Sequence, residues 1–214
     1  MTKRKDGQIT RQKILDAACD IFSEKGFRQA RVTEICKRAG INLAAVNYYF
    51  GDKKNLYVEA WRQAMDQFMV SDVLPPRSLP PEERLRQAIR NIIQKVLDDR
   101  TGSHFRRIEL MELANPTGLI DDAWRALIAP RQEEMFQLIR DIMGPDVPEE
   151  SVRLCKMSII NQCRGYILNQ KSRMGMMGEA FDTSTDQADR IAEHITCFSI
   201  AGIRAVCSRN TADF

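Results

Sequence analysis

Apolar residues recur every three or four positions along most of the chain, and no segment sustains the alternation of a strand. This periodicity predicts an all-α fold. The first helix is expected to begin at a capping Thr10 and to end near residue 25, where Gly26 supplies a left-handed stop. Its apolar stripe consists of Ile14, Ala17, Ala18, Ile21 and Phe22.

Three more helices are predicted to follow, each from a side chain that can cap its first turn. Thr33 is expected to cap a helix over residues 34–39, which Gly40 ends. Asn42 is expected to cap a third helix that reaches about residue 50. Asp52 then caps a fourth, which reaches about residue 70.

Prolines separate this region from the rest of the chain, because the pairs 75–76 and 80–81 cannot continue a helix. Pro81 suits the first turn of the next one. Helices are predicted over 82–100, 103–114 and 118–143, the last kinked at Pro130 and stopped by Gly144 and Pro145. Two further helices are predicted over 149–173 and 185–208.

The net charge of +3 is unevenly distributed over the 214 residues. Residues 1–63 contain 13 basic and 7 acidic side chains, whereas the remainder contains 19 basic and 22 acidic ones. This asymmetry indicates a polyanionic partner that contacts the N-terminal region. No run approaches the ~18 apolar residues of a membrane span, and the first residues contain no apolar signal core, so a cytoplasmic protein without membrane contact is expected.

A helix-turn-helix requires a short positioning helix, a tight turn and a second helix whose outer face enters the major groove of DNA. Residues 33–50 fit this requirement, with Ile35, Ala39, Ile41, Val46 and Phe50 able to face inward. Leu43, Ala44, Asn47 and Tyr48 then face outward. Asn47 can hydrogen-bond base edges, and the Tyr48 hydroxyl can reach a phosphate. Lys53 and Lys54 lie at the start of the fourth helix, where a phosphate is also favoured.

These residues resemble a known family. The segments from Thr33 to Ile41 (Thr-Glu-Ile-Cys-Lys-Arg-Ala-Gly-Ile) and from Tyr48 to Tyr57 (Tyr-Tyr-Phe-Gly-Asp-Lys-Lys-Asn-Leu-Tyr) are similar to the signature of the TetR family of transcriptional regulators. Residues 11–27 resemble that family's first helix, and the block 44–57 is closer still to its CecR-like subgroup. The resemblance implies a DNA-binding domain over residues 8–54 and an effector-binding and dimerisation domain over residues 55–210.

The resemblance also implies a role for individual positions and for the whole chain. It implies a homodimer that binds double-stranded DNA, most simply a ligand-responsive repressor on a palindromic operator, with an activator of the same fold as the alternative. The expected DNA-contacting residues are Thr33, Leu43, Ala44, Asn47, Tyr48, Tyr49 and Lys53. Leu43 departs from the lysine or small polar residue frequent in the family, and suits a thymine methyl group. The alternative is that Tyr48 and Tyr49 are aromatic residues of the core and that Lys53 and Lys54 are ordinary surface lysines.

The last two helices are the candidate dimer interface, because the final one carries a narrow apolar seam and the preceding one a broad apolar face. The residues assigned to this interface are Ile159, Cys163, Ile191, Ile195, Phe198 and Gly202. The alternative for most of them is core packing within one chain. A pocket for a small hydrophobic effector is predicted from large adaptable side chains, each of which is alternatively plain core: Trp61, Met65, Phe68, Phe105, Met111, Trp124, Phe136 and Tyr166.

The remaining chemistry-bearing residues do not predict an enzyme, a metal site or a cofactor. Six cysteines lack a Cys-x-x-Cys pair and are expected to be free thiols, with a redox sensor as the minor alternative. The two histidines, His104 and His194, do not follow a glutamate at the spacing of a di-iron site. The remaining rival is a helical interaction module that does not bind DNA, and it would leave the basic N-terminal region unexplained.

Overall fold

All regular structure in the described part of the chain is helical, which confirms the all-α prediction. The computed structural model describes residues 2–69, 74–97, 103–176 and 185–210. The helices are α1 (Thr2–Gln29), α2 (Val32–Ala39), α3 (Leu43–Phe50), α4 (Lys53–Met69), α5 (Pro81–Leu97), α6 (Ser103–Ala114), α7 (Asp121–Leu127), α8 (Ala129–Met143), α9 (Glu149–Met176) and α10 (Thr185–Asn210). Within these ranges no helix is long and apolar enough to cross a membrane.

Two of the predicted helix starts are wrong. Helix α1 begins at Thr2, and the Thr10 hydroxyl donates to the carbonyl oxygen of Asp6 one turn earlier instead of capping a first turn. Helix α2 begins at Val32, so Thr33 lies inside its first turn. Arg31, whose backbone is extended, is the N-cap residue, and its backbone N–H donates to the Glu34 carboxylate at 3.3 Å. A serine or threonine caps a helix only where its own backbone lies outside the helical region, and Thr10 and Thr33 both lie inside a helix.

The other two caps are confirmed. The backbone N–H of Ala45 donates to the Asn42 side chain at 3.0 Å at the start of α3. The backbone N–H of Asn55 donates to the Asp52 carboxylate at 2.8 Å at the start of α4. Each bond satisfies one of the N–H groups that a first turn leaves without a helical partner.

The long helix predicted over 118–143 is two helices, α7 and α8, which are separated at Ile128. Pro130 therefore does not kink a continuous helix but lies in the first turn of α8, where its missing N–H costs nothing. Gly144, with φ of 93°, ends α8 as predicted. Gly26, with φ of 70° and ψ of 172°, is non-helical, so the first helical stretch of α1 ends there as predicted, and a short second stretch reaches Gln29.

The chain forms two compact units, Met1–Ser71 with Arg100–Ala126, and Asp72–Asp99 with Leu127–Phe214. In the first unit α1 packs against α2, α4 and α6, and its fully buried core includes Ile14, Phe22, Leu56 and Trp61. The predicted boundary after residue 54 falls inside the continuous helix α4. Residues 100–126 belong to the first compact unit because α6 packs against α1 and α4, and the sequence does not predict this packing.

In the second unit α5 contacts α8, α9 and α10. Its core is built from apolar residues at helical spacing, among them Leu85, Ile89, Ile93, Leu138, Ile139, Val152, Ile159 and Ile195. Ion pairs on the outside tie α5 to α10, with Arg86 3.0 Å from Glu193 and Arg90 2.7 Å from Asp189.

Candidate nucleic-acid interface

The turn between α2 and α3 is built from backbone groups and one glycine. Gly40 adopts the left-handed conformation (φ 68°, ψ 35°), which strains other residues. This conformation lets the next residue, Ile41, donate its backbone N–H to the carbonyl oxygen of Cys36 at 3.0 Å. Asn42 then caps α3, so the chain turns from α2 into α3 within three residues.

The inner side of this helix pair is buried in the first unit. Ile35 of α2 and Val46 and Phe50 of α3 are buried, as the periodicity predicts. The Arg11 guanidinium of α1 lies over the Phe50 ring, 5.0 Å from its centroid, and pairs with Glu59 of α4 at 2.8 Å. Contacts from α1 and α4 therefore hold the end of α3 in place.

The outer side of α3 is exposed. Leu43 and Tyr48 are large side chains that remain 48% and 83% exposed, although burial would favour both. Ala44 and Asn47 are exposed too, and each lies four residues from one of the others, so the four share a helix face. Thr33 is exposed on α2. This outer face matches the predicted arrangement and excludes a core role for Tyr48.

Tyr49 and Lys53 are both partly buried, which the sequence does not indicate. Tyr49 is half-buried, and its ring meets that of Tyr48 edge-on with centroids 5.0 Å apart. The Lys53 ammonium lies 4.5 Å from the centroid of the Phe27 ring, and partial burial lowers the pKa of Lys53 below its ordinary value. Lys54 is the more exposed of the two lysines.

Part of the basic excess in this region is internally paired. Arg38 of α2 makes two hydrogen bonds with Glu24 of α1, at 2.8 and 3.3 Å, and Lys25 lies 2.6 Å from Glu34. The bond from Arg38 holds the pKa of Glu24 below its ordinary value. These pairs fix α2 on α1 instead of offering charge to a ligand. Two exposed basic residues near Thr33 were not singled out from the sequence, namely Arg31 just before α2 and Lys37 of α2.

Helix α6 is hydrogen-bonded to the same framework. The Tyr57 hydroxyl of α4 donates to Glu112 of α6 at 2.6 Å. Glu112 also accepts hydrogen bonds from the backbone N–H and the hydroxyl of Thr117, at 2.9 and 2.8 Å. Earlier in α6, His104 lies 3.0 Å from Asp20 of α1. Helices α1, α4 and α6 are thus linked by polar contacts as well as by packing.

The eight residues predicted for an effector pocket are distributed over both units. In the first unit Phe105 stacks on Phe68 at 4.9 Å between centroids and lies 6.1 Å from Trp61. Met65 is buried on α4, the helix that also carries Trp61 and Phe68, and Trp124 of α7 is half-buried. Met111 instead lines a separate pocket of about 370 Å³ together with Phe27 and Tyr57.

The other two predicted pocket residues belong to the second unit. Phe136 is buried in that unit's core, and Tyr166 packs against the edge of the same core. Sequence periodicity marks both as apolar, but it does not reveal which core each one enters.

Four residues predicted for the dimer interface lie in the core of the second unit: Ile159, Cys163, Ile191 and Ile195. Each is at most 5% exposed within the single chain, so these side chains have little surface left to offer a second one. These four residues therefore fit the alternative, core packing within one chain, and the outer face of α9 and α10 is the part of these helices that remains exposed. There Phe198 is 63% exposed and Gly202 is exposed, and both line a groove of about 250 Å³ with Leu154 and Ser158.

Comparisons with known proteins agree with this architecture. Residues 14–60 match the family described as bacterial regulatory proteins, tetR family. Residues 81–203 match the family of the C-terminal domain of the HTH-type transcriptional dual regulator CecR. Among curated proteins, the chain is 26% identical over 205 residues to the dual regulator CecR of Shigella flexneri, covering 89% of this chain and 90% of that protein. It is 24% identical over 196 residues to the regulator AcrR of the same organism, covering 88% of this chain and 89% of that protein.

Solved structures share the fold. A TetR-like transcriptional regulator from Rhodococcus sp. RHA1 superposes with a TM-score of 0.62 at 20% identity, covering 90% of this chain and 96% of that one. The fatty acid degradation regulator FadR from Bacillus halodurans superposes with a TM-score of 0.60 at 17% identity, covering 86% and 93%.

A helix-turn-helix with an exposed recognition face, followed by a helical C-terminal body, defines a DNA-binding transcriptional regulator. The chain belongs to the TetR family and has a C-terminal domain of the CecR type. This is a family of transcriptional regulators and not of enzymes.

Proposed function

We propose that this chain is a ligand-responsive repressor that binds a palindromic operator as a homodimer. The observation that carries the proposal is the outer face of α3, where Leu43 and Tyr48 stay exposed beside Asn47 while the inner face is buried. Asn47 offers a donor and an acceptor to base edges, and Leu43 suits a thymine methyl group. Tyr48, Lys53 and Lys54 contact phosphates in this arrangement.

DNA binding is tested with the duplex that flanks the gene, by fluorescence anisotropy over a series of salt concentrations. Affinity should fall steeply as salt rises, because phosphate contacts release counterions. Asn47→Ala should alter the preference among single-base variants of the site, by about 1–3 kcal/mol at the base pair it reads. Tyr48→Phe should weaken all variants equally, since phosphates carry no sequence.

The matched control for Asn47→Ala is Gln67→Ala, which removes an exposed amide from the far end of α4. Its DNA affinity should equal that of the wild type. If Asn47→Ala weakens every variant of the site to the same extent, Asn47 does not read bases.

Dimerisation is proposed through the outer face of α9 and α10, which carries the exposed side chains of Leu154, Met157 and Phe198. Ser199 supports this assignment, because its buried hydroxyl lines the groove without a hydrogen-bond partner among the described residues. A second chain would cover the apolar surface and could satisfy that hydroxyl.

Phe198→Glu should split the dimer at micromolar concentration, as measured by analytical ultracentrifugation, because the interface cannot solvate a buried charge. Leu113→Glu is the matched control, since Leu113 of α6 is similarly exposed, at 62%. A Phe198→Glu protein that remains dimeric would contradict this interface. Ile195→Glu is a poor test, because it would place a charge in the core of the single chain.

An effector is proposed to act on DNA binding through α6 and α4. Helix α4 begins with Lys53 beside α3 and continues to Trp61 and Phe68, which contact Phe105 of α6. A ligand that displaces α6 would therefore pull on α4 and reorient the recognition helix. Two recognition helices on one face of B-DNA must lie ~34–36 Å apart or a multiple of that distance, so a shift of several ångströms breaks the register.

Thermodynamic reciprocity tests this mechanism. DNA must weaken effector binding by the same factor by which the effector weakens DNA binding. Spin labels on α3 of each subunit report the distance between the two recognition helices. An effector that releases DNA without changing that distance or its distribution would refute the mechanism.

Activation of transcription is the second candidate, because the CecR relative from Shigella flexneri is described as a dual regulator. A transcription assay with purified polymerase separates the two candidates. The protein is added to a promoter that it binds, and the amount of transcript is expected to fall for a repressor and to rise for an activator. We place this activity in the cytoplasm, where bacterial DNA lies, and assign the chain no catalytic activity.

A further inference from the structure

A pocket of about 210 Å³ lies in the second unit where the segment before α5 passes over α5 and α8. Apolar residues line one part of it, namely Leu74, Pro75, Pro76 and Leu138. Charged and polar residues line the rest, namely Arg77, Arg84, Glu134, Gln137 and Asp141.

Arg84 is a buried cation in this pocket that has few hydrogen-bond partners. Its side chain is only 7% exposed. Its Nε–H donates to the carbonyl oxygen of Pro75 at 3.1 Å, and its Nη1 lies 3.5 Å from one carboxylate oxygen of Asp141. The other guanidinium N–H groups donate to no residue that the structure describes.

Two other arginines of the same helix are paired more closely, although they are more exposed. Arg86 lies 3.0 Å from Glu193, and Arg90 lies 2.7 Å from Asp189. Charge-assisted hydrogen bonds are normally about 2.7–2.9 Å long. The buried arginine of α5 thus has the longest of these ion pairs, although a buried cation needs a close anion more than an exposed one does.

The chemistry of the pocket specifies its ligand. A guanidinium presents a planar fork of donors that matches a carboxylate. The apolar walls suit a short hydrocarbon part, and the volume is below the ~300–1,000 Å³ of pockets for drug-sized ligands, so the ligand is small. We propose that this pocket binds a small monocarboxylate whose carboxylate accepts hydrogen bonds from Arg84 and whose apolar part lies against Leu74 and Leu138.

Asp141 competes with this ligand for Arg84. Its side chain is 48% exposed, so it can turn to solvent when a ligand carboxylate takes its place. The proposal concerns binding to the protein alone and does not depend on DNA binding.

Isothermal titration of the full-length protein with butyrate tests the proposal, and butyramide serves as the uncharged analogue of the same shape. Butyrate should bind at millimolar concentrations and butyramide should bind at least about tenfold more weakly, because the charge-assisted bonds are lost. Arg84→Met should weaken butyrate binding by about tenfold or more. Arg90→Met is the matched control, since Arg90 lies on the same helix outside the pocket, and it should leave binding unchanged.

Asp141→Asn provides a test in the opposite direction, which holds even if Arg84→Met fails to fold. Removing the competing carboxylate should tighten butyrate binding several-fold, while the helical circular dichroism signal stays that of the wild type. The proposal is overturned if butyrate does not bind, if butyramide binds equally well, if a folded Arg84→Met protein binds like the wild type, or if Asp141→Asn binds no more tightly.

Discussion

Removing the Tyr57 hydroxyl should weaken the connection between α4 and α6 without disturbing the surrounding core. Tyr57 is fully buried, and its hydroxyl donates to Glu112 at 2.6 Å. Its ring packs against Phe22 and Phe27, with centroids 4.8 and 5.1 Å away. Tyr57→Phe keeps that ring and deletes only the hydroxyl group.

The expected cost follows from the surroundings of Glu112. A hydrogen bond to a charged group contributes about 1.5–3 kcal/mol to stability. Glu112 is half-buried and retains both bonds from Thr117 in the variant, so water can replace the lost donor. We therefore expect Tyr57→Phe to lower the free energy of unfolding by about 1.5–2 kcal/mol, near the lower end of that range.

Urea unfolding followed by far-UV circular dichroism measures this change, at one protein concentration because association contributes to apparent stability. Tyr48→Phe is the matched control. Tyr48 is 83% exposed, so its substitution should change the free energy of unfolding by less than about 0.5 kcal/mol.

A double-mutant cycle with Glu112→Gln isolates the interaction itself. The two substitutions should be non-additive by about 1 kcal/mol, because Glu112→Gln removes the charge that strengthens the hydrogen bond that Tyr57→Phe deletes. If their effects add to within about 0.5 kcal/mol, Tyr57 and Glu112 are not coupled and the reasoning is wrong.

Three further outcomes are expected from single features of the fold. Asn42→Ala removes the cap of α3 and should lower the free energy of unfolding by about 0.5–2 kcal/mol, whereas Asn42→Ser, which retains a capping oxygen, should lose less in the same urea experiment. Gly26→Ala should destabilise the protein, because φ is 70° and a Cβ would lie 3.0 Å from the Met111 sulfur, while Gly165→Ala, in open space on α9, should be neutral or raise the melting temperature. Burial, and then the bond to Glu112, raise the pKa of Tyr57, so the unfolded chain ionises this group first. The stability of the wild type should therefore fall as pH rises above the ordinary tyrosine pKa of about 10. The stability of Tyr57→Phe should fall less over the same pH range, and thermal unfolding of the two proteins measures the difference.

Features that depend on a few neighbouring residues could be predicted from the sequence. Asn42 and Asp52 cap helices as expected, because each bond joins residues only three positions apart. The outward position of Tyr48 follows from the same short range, since the buried partners Val46 and Phe50 fix the orientation of α3. The resemblance to the TetR family rests on this contiguous region and was confirmed by the family comparisons.

Other features depend on what a helix packs against, and only the tertiary structure decided these. Ile195 and Phe198 both belong to the apolar seam that the sequence predicts for α10. Ile195 is nevertheless buried in the chain's own core, whereas Phe198 is exposed. Helical periodicity reports that a face is apolar but not whether its partner is the same chain or another. For the same physical reason, the sequence does not reveal that Phe105 belongs to the first unit and Phe136 to the second. The burial of Arg84 could not be predicted from the sequence, because it depends on α8, which is far from α5 along the chain.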